Sequence, residues 1–123
     1  MSTEYPAQSA VHAGGTASDI PIEPQSLEWM RRLVAIPSIS GTSNLGVIEL
    51  IEAEFARYGY TGQRTYNADQ TRANLWVTVP AADGSTEGGI VISGHTDVVP
   101  VEGQTWDSDP FTLRVEGSRA YGR

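Results

Sequence analysis

Residues 88–97 read GGIVISGHTD, and this stretch decides how the rest of the chain is interpreted. Its first half, GIVIS at 89–93, is a short continuous apolar run, which is typical of a strand buried on both faces. His95 and Asp97 follow at once. Residues i and i+2 of an extended chain lie on the same side, so an imidazole and a carboxylate share one face at the strand's end. Open α/β sheets commonly bind ligands in that position.

A histidine beside a carboxylate has two interpretations. The carboxylate can fix the ring of a metal ligand and raise its basicity, which is a standard arrangement at metal centres. The pair can also be a hydrogen-bonded structural histidine at a strand end, and His-x-Asp alone is short and common enough to fit this case. The residues by themselves leave both interpretations open for His95 and Asp97.

Other candidates for chemistry are weaker. Asp107 and Asp109 could form a carboxylate pair for acid/base work, but their place beside Pro110 favours a solvated turn. Ser93 lies close to His95 as a nucleophile would to its base, yet the strand-turn-helix motif that exposes a nucleophilic serine is missing around it.

The remaining residues of possible interest have ordinary explanations. Trp106 and Phe111 could line a pocket, although aromatic packing is the simpler role. His12 falls in residues 1–24, a stretch rich in small residues and proline without helical or strand period. We expect that stretch to be a flexible lead-in, and its histidine to be incidental.

Two helices are predicted before the central stretch. The first begins with Ser26 as N-cap and ends before Pro37. Its apolar residues on one helical face are Leu27, Met30, Leu33 and Val34. The segment 36–44, IPSISGTSN, is a turn-rich connector. The second helix runs from about Asn44 to Tyr58, with Ile48, Ile51, Phe55 and Tyr58 on its apolar face and Gly59 as its C-cap.

Strands are predicted beyond residue 62. Residues 63–66 form a weak strand and 74–79 a better one. The link between 74–79 and 89–93 is too short for a parallel crossover, which predicts that these two strands are antiparallel neighbours. Residues 111–116 and 119–121 predict a hairpin turning at Gly117-Ser118. The fold class is therefore α/β, with a mixed sheet flanked by helices.

Composition narrows the class of protein. The chain has 123 residues, 15 Asp and Glu against 8 Lys and Arg, and no cysteine. The absence of a basic stripe argues against nucleic-acid binding, and no apolar run reaches the ~20 residues that span a bilayer. The N-terminus has no secretory signal pattern. We therefore expect a cytoplasmic protein that binds neither membrane nor nucleic acid.

Residues 88–111, GGIVISGHTDVVPVEGQTWDSDPF, resemble the first zinc-binding motif of the dinuclear zinc deacetylases, desuccinylases, aminoacylases and carboxypeptidases. The resemblance extends from about Ser26 to Arg123. Pro-Ser-Ile-Ser at 37–40, Val-Val-Pro-Val at 98–101 and Trp106 before Asp-Pro-Phe at 109–111 favour the acetylornithine deacetylase branch.

The resemblance implies the roles of the site residues. His95 would ligate one of two zinc ions, or cobalt ions in their place, and Asp97 would be the active-site carboxylate that braces the site without binding metal. Residues 25–123 would be the N-terminal portion of a zinc-peptidase-like catalytic domain. The substrate would be an N-acyl amino acid, hydrolysed by a metal-bound water, and the full-length enzyme would be a homodimer.

The resemblance also implies that the site is incomplete. Tyr121-Gly122-Arg123 matches the lead-in to the family's next motif, so the bridging aspartate, the glutamate general base and the later ligands would lie beyond Arg123. We expect this chain to be a truncated piece that is inactive alone. The alternatives are another hydrolase of the family, or a non-catalytic binding module that retains part of the fold.

Overall fold

The computed structural model describes residues 23–123, which form two helices and two separate antiparallel sheets of two strands each. The elements in chain order are α1 (Pro24–Val34), α2 (Leu45–Arg57), β1 (Gly62–Tyr66), β2 (Ala73–Val77), β3 (Arg114–Glu116) and β4 (Arg119–Tyr121). The predicted lead-in, with His12, lies outside the described residues except for Glu23 and Pro24.

The N-cap of helix α1 lies three residues earlier than predicted. Glu23 is the N-cap, and its carboxylate accepts a hydrogen bond of 3.0 Å from the backbone N–H of Ser26. Pro24 occupies the first helical position, where a missing N–H costs nothing and the fixed φ suits the helix. The prediction of Ser26 as N-cap was therefore wrong, because a proline start and a glutamate cap replaced the more usual serine.

Helix α2 agrees with its prediction to within one residue at each end. Asn44 and Tyr58 are its flanking cap residues, and Gly59 adopts a φ of 83°, as a residue that follows a helix C-terminus often does. Val47 and Ile48 are its buried side chains. Tyr58 was expected on the apolar face, but it is exposed because the helix has ended before it.

Strands β1 and β2 form a hairpin that packs against α2. Gly62 pairs with Val77 at one end and Tyr66 with Ala73 at the other. The side chain of Leu75 lies so close to Gly62 that a Cβ there would approach it to 2.6 Å. Both strands were predicted, but β2 takes β1 as its partner instead of 89–93.

Residues 89–93 correct the central prediction of the sequence, because they form no strand. No backbone hydrogen bond involves residues 89–95 within the described part of the chain. Ile90 and Ile92 are 92% and 94% exposed. The apolar run predicts burial only where neighbouring layers can cover it, and none of the described elements lies against it. The single mixed sheet is accordingly not formed.

The C-terminal hairpin was predicted with the correct turn and second strand, but its first strand begins at Arg114 and not at Phe111. Strands β3 and β4 pair antiparallel, with Glu116 opposite Arg119 across the turn at Gly117-Ser118. Arg31 of α1 donates a hydrogen bond of 3.4 Å to the carbonyl of Leu113, which ties this hairpin to the first helix.

The core of the described residues is small. Its buried apolar side chains are Val47, Ile48, Ala73 and Leu113, and Ser38 is buried with them. None of the helices between residues 23 and 123 is long and apolar enough to cross a membrane.

Candidate metal-binding site

His95 and Asp97 lie together, as their spacing predicts, even though the strand before them is not formed. The Nδ1 atom of His95 is 2.9 Å from Oδ1 of Asp97. An ionised carboxylate only accepts hydrogen bonds, so this contact requires the hydrogen of the ring to sit on Nδ1. In the neutral ring, Nε2 then carries a free lone pair, and the side chain is 85% exposed. One nitrogen of His95 is thus available to a ligand.

Asp97 is held from its other side by Ser40. The hydroxyl of Ser40 donates to Oδ2 of Asp97 at 2.6 Å. Two hydrogen bonds lower the pKa of Asp97 below its ordinary value, because both donors stabilise the ionised carboxylate. The bond from Ser40 has the larger effect and the bond from His95 the smaller one. The carboxylate is therefore charged and has a hydrogen-bond donor on each oxygen.

The connector between the helices also holds the backbone around Asp97. Ile39 and Val98 form an isolated parallel bridge. The N–H of Ser40 donates to the carbonyl of Val98 at 2.8 Å, and the N–H of Val98 donates to the carbonyl of Ser38 at 2.9 Å. The buried hydroxyl of Ser38 donates to the carbonyl of Thr96 at 2.6 Å. These bonds attach residues 96–98 to residues 38–40.

Asn44 joins the same loop to the β1–β2 hairpin. Its amide nitrogen donates to the carbonyl of Ala73 at 2.9 Å and to the hydroxyl of Thr96 at 3.0 Å. Its amide oxygen accepts from the N–H of Ala73 at 3.0 Å. Although Asn44 flanks α2, its side chain makes no capping hydrogen bond to that helix.

The sequence did not reveal the roles of Ser38, Ser40 and Asn44. Their segment was interpreted as a turn-rich connector, with Asn44 at the start of the second helix and Pro-Ser-Ile-Ser at 37–40 as part of the family resemblance, and no contact was assigned to any of the three side chains. The available signal was the density of hydroxyl and amide groups in 36–44, which exceeds what a turn needs, but the sequence does not show that residues 38–40 pair with 96–98.

An open cleft of roughly 820 Å³ lies beside the site. Its lining includes Asn44, Trp76, Ile92, His95 and Asp97. Residues of α2, β1 and β2 line the cleft together with the exposed segment 91–97. A small molecule in this cleft would contact both apolar side chains and the His95–Asp97 pair.

The other candidate residues do not join this pair. Asp109 accepts hydrogen bonds from the N–H of Phe111 at 2.9 Å and the hydroxyl of Thr112 at 3.0 Å, which confirms the turn interpretation. Asp107 is exposed, and Ser93 makes no hydrogen bond to His95 in the described residues.

Trp106 packs as an aromatic side chain, in agreement with the simpler of its two interpretations. It lies half-buried under the guanidinium of Arg123, whose carbon is 5.0 Å from the ring centroid. Its indole N–H donates to the carbonyl of Val101 at 3.3 Å.

The residues present do not make up a catalytic zinc site by themselves. Such a site usually takes three protein ligands and a water. Within residues 23–123, no three His, Cys, Asp or Glu side chains are grouped so that they could hold a metal ion. The His95 ring offers one ligand atom.

The chain is similar to curated proteins named acetylornithine deacetylase. The relative from Erwinia tasmaniensis is 35% identical over 106 residues, which is 80% of this chain and 27% of that enzyme. Relatives from Salmonella arizonae and Salmonella agona are 33% identical, over 80% and 82% of this chain. The resemblance to acetylornithine deacetylases seen in the sequence is thus confirmed.

This similarity has a defined extent. The chain spans about a quarter (27%) of the length of these curated relatives. No protein-family model matches it. No solved structure matches it either.

Proposed function

We propose that this chain supplies the first metal-ligating segment of a zinc-dependent hydrolase that cleaves linear amides. The observation that carries the proposal is the His95–Asp97 contact, because it leaves Nε2 of an exposed imidazole free beside a cleft. The similarity to acetylornithine deacetylases over 80% of the chain supports the same assignment.

The substrate that we propose is N-acetylornithine, which water cleaves to ornithine and acetate as a step of arginine biosynthesis. His95 would be a metal ligand, and Asp97 would orient the ring and keep Nδ1 protonated. The other ligands of a two-zinc or two-cobalt site, and the general base, would come from outside residues 23–123. The complete enzyme is expected to be a cytoplasmic homodimer.

A desuccinylase, aminoacylase or carboxypeptidase would use the same pair. Hydrolysis of N-succinyl-diaminopimelate in place of N-acetylornithine by the complete enzyme would move the assignment to that branch. A non-catalytic module would need neither the free nitrogen of His95 nor the bracing by Asp97.

A chimera tests the proposal. The 106 matched residues of the Erwinia tasmaniensis relative are replaced by those of this chain, and hydrolysis of N-acetylornithine is measured with zinc and with cobalt. We expect the chimera to be active, His95→Ala to abolish activity, and Asp97→Ala to lower it roughly 10- to 100-fold.

Asp107→Ala is the matched control, because Asp107 is an exposed aspartate outside the pair. It should leave the rate unchanged. A folded chimera whose activity survives His95→Ala would overturn the proposal.

A further inference from the structure

The ring of His95 depends on a single described contact for its orientation. Its side chain is 85% exposed, so packing does not fix it. Within the described residues, the hydrogen bond to Asp97 is the one that the ring makes. Whatever orients the carboxylate of Asp97 therefore also orients the imidazole.

The carboxylate of Asp97 is itself exposed and could rotate about its own bonds. Ser40 opposes this rotation, since its hydroxyl reaches Oδ2 at 2.6 Å while Oδ1 faces His95. The same hydroxyl lies 3.2 Å from the carbonyl of Val98. The backbone bonds between 38–40 and 98 keep the Ser40 hydroxyl within reach.

We propose that Ser40 is a positioning residue for His95. It acts through Asp97: its hydroxyl fixes the carboxylate, the carboxylate holds the hydrogen on Nδ1, and Nε2 is left facing outward. The relation between Ser40 and the ring stands on the geometry alone. Its consequence for metal binding rests on the function proposed above.

The position of the ring hydrogen reports this role directly. A free histidine side chain in water favours the hydrogen on Nε2, whereas the contact with Asp97 requires it on Nδ1. The nitrogen chemical shifts of a ¹⁵N-labelled ring distinguish the two forms. They are recorded on the full chain in alkaline buffer, where an ordinary imidazole is neutral, and the His95 signals are assigned by their loss in His95→Ala.

We expect the Nδ1–H form to predominate in the unchanged chain and in Ser40→Thr, which retains a hydroxyl. Ser40→Ala should move the signals toward the Nε2–H form, in the direction of Asp97→Asn. Ser38→Ala is the matched control, because the hydroxyl of Ser38 bonds the carbonyl of Thr96 and not Asp97. It should keep the Nδ1–H form.

Two outcomes would overturn the proposal. Unchanged ring shifts in Ser40→Ala would show that Asp97 holds the ring without help. An equal change in Ser38→Ala would show that the substitutions act by loosening the connector as a whole.

The chimera separates this inference from the proposed function. Within it, Ser40→Ala should lower zinc affinity roughly tenfold, and Ser40→Thr should restore it. If Ser40→Ala moves the ring hydrogen but a folded, zinc-loaded chimera shows no activity, the positioning role is kept and the proposed hydrolase function is refuted. An active chimera with unchanged ring shifts in Ser40→Ala would support the hydrolase function and refute the positioning role of Ser40.

Discussion

At the level of single residues, the polar side chains of the connector 36–44 make hydrogen bonds to distant parts of the chain that the sequence did not predict. The side-chain amide of Asn44 makes three hydrogen bonds, two to the backbone of Ala73 and one to the hydroxyl of Thr96. Ser40 and Ser38 make comparable contacts to residues 96–98. The contact between His95 and Asp97 was predictable because residues at i and i+2 are local neighbours. The contact of Asp97 with Ser40, 57 positions away, was not, since it depends on how the chain folds back.

Asn44→Ala should lower the free energy of unfolding by about 1–3 kcal/mol, because it leaves the partly buried N–H and carbonyl of Ala73 without partners. Urea denaturation measures the change. Asn74→Ala is the control, since Asn74 is an exposed amide on β2, and it should have a far smaller effect. Equal losses in both variants would contradict the role assigned to Asn44.

Asp69 provides a test of electrostatics in the turn between β1 and β2. Its Oδ1 accepts from the hydroxyl of Thr71 and from the N–H of Thr71. Both hydrogen bonds lower the pKa of Asp69, and the bond from the Thr71 hydroxyl has the larger effect. Its folded pKa is thus below its unfolded pKa, so its stabilising effect is complete above the unfolded pKa and is lost as the pH falls through the folded pKa.

Thr71→Val removes the hydroxyl donor and should raise the pKa of Asp69 toward the ordinary value of about 3.9. A ¹³C titration of the carboxyl group measures it. Thr78→Val, at a threonine that accepts a hydrogen bond from Trp76, should leave the pKa of Asp69 unchanged. The explanation fails if Thr71→Val leaves that pKa where it was.

At the scale of elements, local patterns predicted both helices and the strands of both hairpins, but the pairing of β1 with β2 was not predicted. The helices show apolar spacing, and Gly117-Ser118 marks the last turn. The N-cap of α1 was misassigned to Ser26 because serine is a common N-cap residue. Pro24 favours the first position of a helix, which makes Glu23 the N-cap. The prediction of a strand at 89–93 was wrong for a different reason. The apolar pattern predicts burial, and a segment is buried only where another layer of structure packs against it.

The two candidate caps of α1 can be distinguished by substitution. Glu23→Ala should destabilise α1 by about 0.5–1 kcal/mol, because the N–H of Ser26 loses its acceptor. Ser26→Ala should be neutral, since alanine is the better helix former inside a helix. Amide hydrogen exchange in the first turn of α1 measures both. Loss of protection in Ser26→Ala but not in Glu23→Ala would restore the original prediction.

At the scale of the whole molecule, apolar surface is distributed unevenly. Few side chains of residues 23–123 are buried, while Ile90, Val91 and Ile92 form an exposed and charge-free run. An extended apolar segment with unpaired backbone groups is prone to associate with other chains. The α/β fold class was predictable from local patterns. The division into two small sheets was not, because it depends on which strands pair with each other.

The double substitution Ile90→Thr with Ile92→Thr should reduce self-association, measured by static light scattering, without lowering the free energy of unfolding. Threonine retains the β-branched shape and removes exposed apolar surface. Val47→Thr is the matched control at a buried position, and it should destabilise by about 1–3 kcal/mol. A comparable loss of stability in the double variant would show that the run is buried.

We infer that residues 23–123 contribute one metal ligand, His95, to a zinc site that they do not complete. Calorimetric titration of the purified chain with zinc tests it most directly. We expect weak binding that His95→Ala barely changes, because a single imidazole holds zinc poorly compared with the three protein ligands of a catalytic site. Tight binding of one zinc per chain, lost in His95→Ala, would show that the chain holds a complete site and would contradict the claim.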